Sequence, residues 1–151
     1  MTKLKLAALV AVLGTPVLAE GDAAAGEELF GRQCVSCHVV ANAEGEVLAG
    51  RNARTGPNLF GIIGGPVGAV EGFNYGEAIL AAGEAGAIWD EDSFVAYVQD
   101  PTDWLRVTLD DRRARSKMSF RVRSEDDAED IYAYLATFSA GEEEEEEAQA
   151  E

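Results

Sequence analysis

The residues best suited to chemistry in this chain lie in one short run, Cys34-Val35-Ser36-Cys37-His38. The spacing C-x-x-C-H is the signature of covalent attachment of a c-type haem. Two thiols spaced in this way can add to the two vinyl groups of a haem, and the adjacent imidazole can bind the iron. The chain has 2 Cys and 1 His, so no second site can draw on these residue types. The motif predicts one haem c, attached through Cys34 and Cys37, with His38 as an iron ligand.

Three other interpretations of this motif are weaker. A thioredoxin-like redox pair is expected beside a βαβ pattern, which the sequence does not show. A structural zinc site needs about four ligands, and Cys and His together supply three. A disulfide between Cys34 and Cys37 is the remaining alternative in an oxidising compartment.

Residues 1–19 have the features of a secretory signal peptide. Lys3 and Lys5 provide positive charge, residues 6–13 form a short apolar run, and residues 17–19 resemble a small-residue cleavage site. The apolar run is shorter than the roughly 20 residues of a transmembrane helix, although an uncleaved anchor is the alternative. Bacteria attach c-type haem outside the cytoplasm, so we expect a cleaved precursor and a periplasmic mature protein.

The charge of the chain is strongly acidic, with 28 Asp and Glu against 12 Lys and Arg and a formal net charge of −16. This charge argues against nucleic-acid binding. Six consecutive glutamates, Glu142–Glu147, lie in a tail at residues 140–151. Because like charges repel one another, this tail is expected to be disordered. We interpret it as a solubilising segment, with partner binding or halotolerance as the alternative.

The remaining residues, 20–139, are expected to form one domain of short helices and long loops. Residues 41–73 are rich in glycine and are predicted to be loop. Helices of this length form a small core, and a buried haem would supply apolar mass. Helices are predicted over residues 22–33, over 74–82 with an end at Gly83, from the capping Asp90 through Gln99 with a stop at Pro101, and from the capping Ser124 onward.

Met118 is the candidate for the second axial ligand of the iron. Met1 leaves with the signal peptide, so Met118 is the one methionine left. A lone methionine is usually core filler, but this one lies between Lys117 and Ser119 in a predicted loop. A neutral thioether favours ferrous iron and raises the reduction potential. With His38 and Met118 both bound, the iron has no open position for a substrate, which indicates electron transfer.

With these motifs the chain resembles a class I c-type cytochrome of the bacterial cytochrome c2 and cytochrome c550 group. The resemblance covers nearly all of residues 20–139. It implies an all-α, class I cytochrome c fold in which three to five helices and long loops wrap around one covalent haem. The matching stretches, in the same order and with similar spacing, are Cys34–His38, Thr55–Gly61, Phe73–Gly76, Trp89, Tyr97–Pro101, Lys117–Phe120 and Ile131–Leu135.

The resemblance also implies how the two iron ligands are supported. His38 would be the proximal ligand and Met118 the distal one. The backbone carbonyl of Pro57 would accept a hydrogen bond from the free ring nitrogen of His38, which fixes the ring and raises its basicity.

Roles for three aromatic residues and a helix crossing come from the same resemblance. Tyr75 and Trp89 would hydrogen-bond a haem propionate, and Tyr97 would lie near the Met118 sulfur. By residue type alone, the three aromatics could equally be core residues with satisfied polar tips. Where the terminal helices cross, close contact is implied for Gly26, Phe30, Ile131 and Tyr134.

Basic residues are concentrated around Met118. The segment from Arg106 to Arg123, here called the basic segment, contains two acids and seven basic residues: Arg106, Arg112, Arg113, Arg115, Lys117, Arg121 and Arg123. A solvated loop with scattered charge is one interpretation. The other is a surface that steers acidic membrane redox complexes.

Together these observations predict a monomeric, soluble, periplasmic single-electron carrier rather than an enzyme. Its docking to membrane complexes would be peripheral and transient. Electrons would pass from a quinol-oxidising cytochrome complex to a photosynthetic reaction centre, a terminal oxidase or a reductase. One alternative is the electron-acceptor subunit of a periplasmic dehydrogenase. A haem peroxidase or gas sensor with a displaceable Met118 is the other.

Overall fold

The structure, a computed structural model, describes residues 21–139. The predicted signal peptide and the predicted acidic tail lie outside the described residues. In chain order the elements are α1 (Ala23–Gln33), β1 (Val39–Ala41), β2 (Val47–Gly50), α2 (Glu77–Glu84), α3 (Glu91–Gln99), α4 (Pro101–Leu109) and α5 (Glu125–Ala136). None of the helices within residues 21–139 is long and apolar enough to cross a membrane.

The two terminal helices, α1 and α5, cross in close contact, as the resemblance implies. The rings of Phe30 and Tyr134 lie 5.6 Å apart between centroids. A Cβ atom added at Gly26 would collide with the Asp130 carbonyl and would lie 2.8 Å from the Tyr134 Cβ. Gly26 is therefore required for this approach, which buries Ile131 to 1% exposure.

Three helices begin after a side-chain cap, and two of these caps, Asp90 and Ser124, were predicted. The Asp22 carboxylate accepts a hydrogen bond from the Ala24 amide at 2.8 Å, and α1 follows. Asp90 caps α3 through the Ser93 amide at 2.9 Å. The Ser124 hydroxyl accepts from the Asp127 amide at 3.3 Å and starts α5. Each cap satisfies an amide that has no partner within its helix.

The prediction for the second helix was wrong at both ends. The helix begins at Glu77 and continues through Gly83 to Glu84. A Cβ at Gly83 would collide with the carbonyl oxygen of Val67. This glycine therefore lets a loop lie against the helix, and it does not act as a stop.

The role of Pro101 was also predicted incompletely. Helix α3 ends at Gln99 as expected, but Pro101 is the first residue of a further helix, α4. Proline is favoured at this position because its missing amide hydrogen would have no partner there. The Asp100 carboxylate caps the new helix by accepting from the Asp103 amide at 3.0 Å.

A short antiparallel hairpin lies where the sequence predicted loop. Strand β1 pairs with β2, and the Asn42 side chain closes the turn by accepting from the Glu46 amide at 2.8 Å. The Asn58 side chain holds the hairpin from outside through both backbone groups of Ala41, at 3.0 and 2.7 Å. The hairpin therefore depends on a residue 17 positions away. The five helices within residues 21–139 agree with the predicted fold class, with this small sheet added.

We expect Gly26→Ala to destabilise the protein by about 1–3 kcal/mol, because the added methyl group overpacks the crossing of α1 and α5. The matched control is Gly31→Ala in the same helix, where an added Cβ meets nothing within 4 Å. That variant should gain roughly 0.5–1 kcal/mol from helix propensity. Guanidinium unfolding of the holoproteins measures both. Equal stability of the two variants would contradict the described crossing.

Candidate haem site

One cavity of about 510 Å³ brings all eight predicted site residues together. A volume of this size is typical of cofactor sites. Apolar side chains from the loops and helices form much of the remaining wall, among them Leu59, Ile62, Ile79 and Val98. The eight predicted residues are Cys34, Cys37, His38, Pro57, Tyr75, Trp89, Tyr97 and Met118.

The two cysteines are presented by a turn that directly follows α1. The amides of Cys37 and His38 both donate to the Cys34 carbonyl, at 3.1 and 2.9 Å. The two sulfurs do not form a disulfide with each other. Burial raises the pKa of Cys34 to about 12, and the nearby Cys37 adds to the increase. Redox-active C-x-x-C pairs need a lowered thiol pKa, so this environment argues against the thioredoxin-like interpretation.

The His38 ring is fixed through one of its nitrogens. Its Nδ1 lies 2.9 Å from the carbonyl oxygen of Pro57, the contact that the resemblance implies. Since a carbonyl only accepts, Nδ1 carries the proton and donates. Burial lowers the pKa of His38, and the hydrogen bond to Pro57 partly opposes this. The imidazole is therefore held neutral with the Nε2 lone pair free, which is the form that binds a metal.

Gly56 also shapes this side of the cavity, although the sequence analysis gave it no role. A Cβ at Gly56 would collide with the His38 ring. The Gly56 amide donates to the Cys37 carbonyl at 2.7 Å. The backbone before Pro57 therefore lies directly against the imidazole. The one signal in the sequence was a glycine next to the proline whose carbonyl accepts from the ring.

The Met118 side of the cavity is formed by the second half of the basic segment. The Met118 amide donates to the Ser116 hydroxyl at 3.1 Å. Lys117 donates from Nζ to the Asn74 carbonyl at 2.8 Å, which joins this segment to the loop before α2. The Tyr97 hydroxyl lies 3.0 Å from the Ser116 Oγ. Ser116 was missed in the sequence because a serine in a loop carries no distinctive signal.

The two other predicted aromatic residues, Tyr75 and Trp89, make different kinds of contact. The Tyr75 hydroxyl accepts from the Val70 amide at 3.4 Å. Trp89 is buried, stacks on Trp104 at 5.6 Å and meets the Tyr97 ring edge-on at 5.0 Å. Burial raises the pKa of both Tyr75 and Tyr97, so their hydroxyls stay protonated. Trp89 both lines the cavity and packs in the core. Its contact with a haem propionate stays a prediction.

The donor set fits haem c. Two thiols, a neutral imidazole and a thioether line one largely apolar cavity, together with the cations Arg54, Arg115 and Lys117. Cations at the cavity suit the carboxylates of a haem. Within residues 21–139 no group of three or more His, Cys, Asp or Glu side chains could hold another metal ion.

Comparison with known proteins identifies the family. No protein-family model matches the chain. Cytochrome c2 of Rhodovulum adriaticum is 54% identical over 123 residues, which cover 82% of this chain and 97% of that protein. Cytochrome c-550 of Paracoccus denitrificans is 38% identical over 127 residues, covering 82% and 79%. The chain belongs to the cytochrome c2 and cytochrome c550 family.

Solved structures agree with this assignment. The crystal structure of cytochrome c2 from Rhodobacter sphaeroides has a TM-score of 0.77 and 45% identity, covering 80% of this chain and 98% of that chain. As a cytochrome c2 relative, the chain is an electron carrier rather than an enzyme. It carries one haem c, attached covalently through Cys34 and Cys37. The predicted family, fold class and cofactor are confirmed.

Replacing Gly56 by alanine should disturb the His38 ring specifically. The added Cβ competes for the space of the imidazole, and we expect a loss of about 1–3 kcal/mol in stability. The hyperfine-shifted His38 resonances in the proton NMR spectrum of the ferric holoprotein should move as well. Gly31→Ala is the control and should leave these resonances in place. Unmoved resonances in Gly56→Ala would show that the backbone does not constrain the ring.

Proposed function

We propose that this cytochrome carries single electrons in the periplasm on an iron held by His38 and Met118. The observation that carries the proposal is the neutral His38 ring, fixed by Pro57 at 2.9 Å in the same cavity that Met118 lines. When bound, haem supplies a one-electron couple between ferrous and ferric iron. The chain has 1 His, so no second imidazole is available to act as a general acid or base at the iron.

The protein residues stabilise one oxidation state over the other. A thioether is a neutral, soft ligand, so Met118 favours ferrous iron and a raised potential. The hydrogen bond from His38 to Pro57 acts in the opposite direction, because it increases the electron donation of the imidazole. The apolar wall formed by residues such as Leu59 and Ile79 excludes water. The balance of these effects sets the potential of the carrier.

The periplasmic location is supported by two observations on the sequence. Residues 1–19 have the pattern of a cleaved signal peptide, and covalent haem attachment in bacteria takes place outside the cytoplasm. The mature protein is proposed to work as a monomer that diffuses between membrane complexes. Such encounters have to be short-lived, and small, weak interfaces are typical of electron-transfer partners.

The basic segment is the proposed docking surface. Arg113 pairs with Asp111 at 3.7 Å and Arg121 with Asp100 at 2.9 Å, so part of its charge is compensated. Arg115 donates to backbone carbonyls, including that of Ala114 at 2.9 Å, and therefore holds the loop. Arg112 is exposed and forms no side-chain ion pair or hydrogen bond within the described residues. Its free charge lies three residues from Arg115, a residue at the cavity.

The proposed donor is a quinol-oxidising cytochrome complex. The acceptor is a photosynthetic reaction centre, a terminal oxidase or a reductase. Stopped-flow reduction of the ferric protein by the purified quinol-oxidising complex should be fast and should slow with added salt, since opposite charges attract less when screened. Faster reduction by a periplasmic dehydrogenase than by that complex would assign the protein to the dehydrogenase instead.

Charge reversal at Arg112 tests the docking surface. Arg112→Glu should slow electron transfer to or from the membrane complex by about 3- to 10-fold at low ionic strength, because a reversed charge weakens steering. The difference should vanish at high salt. Arg51→Glu makes the same change in net charge on a residue outside both the basic segment and the cavity wall. Equal slowing in both variants would mean that only the net charge matters, and docking at the basic segment would be refuted.

A further inference from the structure

The loop that carries Met118 is tied down at its two ends by long-range contacts. At one end the Ala114 carbonyl accepts from the side chains of Arg106 and Arg115, at 3.3 and 2.9 Å. At the other end the Val122 amide donates to the Val98 carbonyl at 2.9 Å. Between these ends, no backbone amide donates to a backbone carbonyl in the part of the chain that is described. The middle of the loop must therefore be held by side chains.

Ser116 supplies three of the hydrogen bonds that hold this middle part. Its hydroxyl accepts from the Met118 amide at 3.1 Å and pairs with the Tyr97 hydroxyl at 3.0 Å. Its own amide donates to the Thr102 hydroxyl at 3.2 Å. Tyr97 belongs to α3 and is buried, and Thr102 belongs to the first turn of α4. Ser116 thus joins the Met118 backbone to two helices at once.

We propose that Ser116 is a positioning residue that keeps the Met118 thioether on the iron. The inference rests on the proposed ligation by Met118. It goes beyond that proposal because it assigns the strength of the ligation to a hydroxyl that does not touch the metal. Without this hydroxyl, the Met118 amide and the Tyr97 hydroxyl both lose their described partner, and the loop has more freedom to leave the iron.

The described hydrogen-bond partner of the Tyr97 hydroxyl is the Ser116 Oγ, at 3.0 Å. The position of Tyr97 near the Met118 sulfur, which the resemblance implies, stays a prediction. Tyr97 therefore acts on Met118 through Ser116 and the Met118 backbone. This arrangement makes the effects of the two residues interdependent, since they share one hydroxyl oxygen.

Imidazole binding to the ferric holoprotein measures how easily the thioether is displaced. Added imidazole competes with Met118 for the iron, so a weaker hold on the loop appears as tighter imidazole binding. We expect Ser116→Ala to bind imidazole about tenfold more tightly than the native protein, the effect of losing one well-placed hydrogen bond. Its reduction potential should also fall, because ferrous iron loses part of its stabilisation by sulfur. Ser116→Thr, which keeps the hydroxyl, should restore both values.

Further variants separate a positioning role of Ser116 from a general loosening of the loop. Thr108→Ala is the matched control for loss of a hydroxyl, because Thr108 is exposed, lies outside the cavity wall and makes no side-chain hydrogen bond among the described residues. It should bind imidazole like the native protein. Tyr97→Phe should change the affinity in the same direction as Ser116→Ala, and the double variant should show less than the product of the two changes. If Ser116→Ala does not fold, Thr102→Val, which removes the acceptor of the Ser116 amide, should also tighten binding.

The outcomes distinguish the two proposals. A native ferric protein that lacks the sulfur-to-iron absorption band would overturn the ligation by Met118, and the role of Ser116 with it. A native protein that shows the band, together with equal imidazole affinities for Ser116→Ala and Thr108→Ala, would overturn the role of Ser116 alone. Independent, multiplicative effects of Ser116→Ala and Tyr97→Phe would likewise overturn it.

Discussion

The hydrogen bond between His38 and Pro57 is the interaction on which the proximal half of the molecule depends. It joins the haem-attachment motif to a loop 19 residues further along the chain. Backbone contacts continue the same alignment, since the Gly56 amide donates to the Cys37 carbonyl at 2.7 Å and the Leu59 amide to the Val39 carbonyl at 2.9 Å. The two segments therefore run side by side. A neutral imidazole with a free Nε2 is the direct chemical consequence.

The distal half is built on a different principle. Here the chain around Met118 has no regular structure, and side chains from neighbouring elements hold it in place. Lys117 reaches the loop before α2, and Ser116 reaches α3 and α4. A proximal side aligned by backbone contacts and a distal side held by a few polar contacts suit the proposed electron carrier, because they place His38 and Met118 at one cavity without a large core.

The parts of the fold that the sequence predicted well are those decided by neighbouring residues. Asp90 and Ser124 start their helices because each accepts from the amide three positions ahead. Gly83 and Pro101 were misread because each has two local meanings. Glycine can end a helix or admit a close neighbour, and proline can stop one helix or start the next. The backbone of Val67 decides the case of Gly83, and this distant contact is not visible as a local pattern. The case of Pro101 is decided by the neighbouring cap at Asp100, a local signal that was overlooked.

In the site too, residues with a local sequence signal were predicted, and residues that act through distant contacts were missed. The motif around Cys34 and the elimination argument for Met118 both selected residues that line the cavity. Gly56, Ser116 and Trp104 were missed as contributors, since their importance comes from contacts with residues distant in the chain. Only the fold brings Ser116 to Tyr97, across 19 positions.

The most direct test of the proposed ligation is the visible absorption spectrum of the mature native protein, recorded oxidised and then reduced. Ligation by His38 and Met118 predicts sharp low-spin bands on reduction and a weak sulfur-to-iron band in the red when the iron is ferric. A high-spin ferric spectrum without that band would mean that the sixth position is open. The protein would then have a place for a substrate or a gas at its iron, and its assignment as a simple electron carrier would be contradicted.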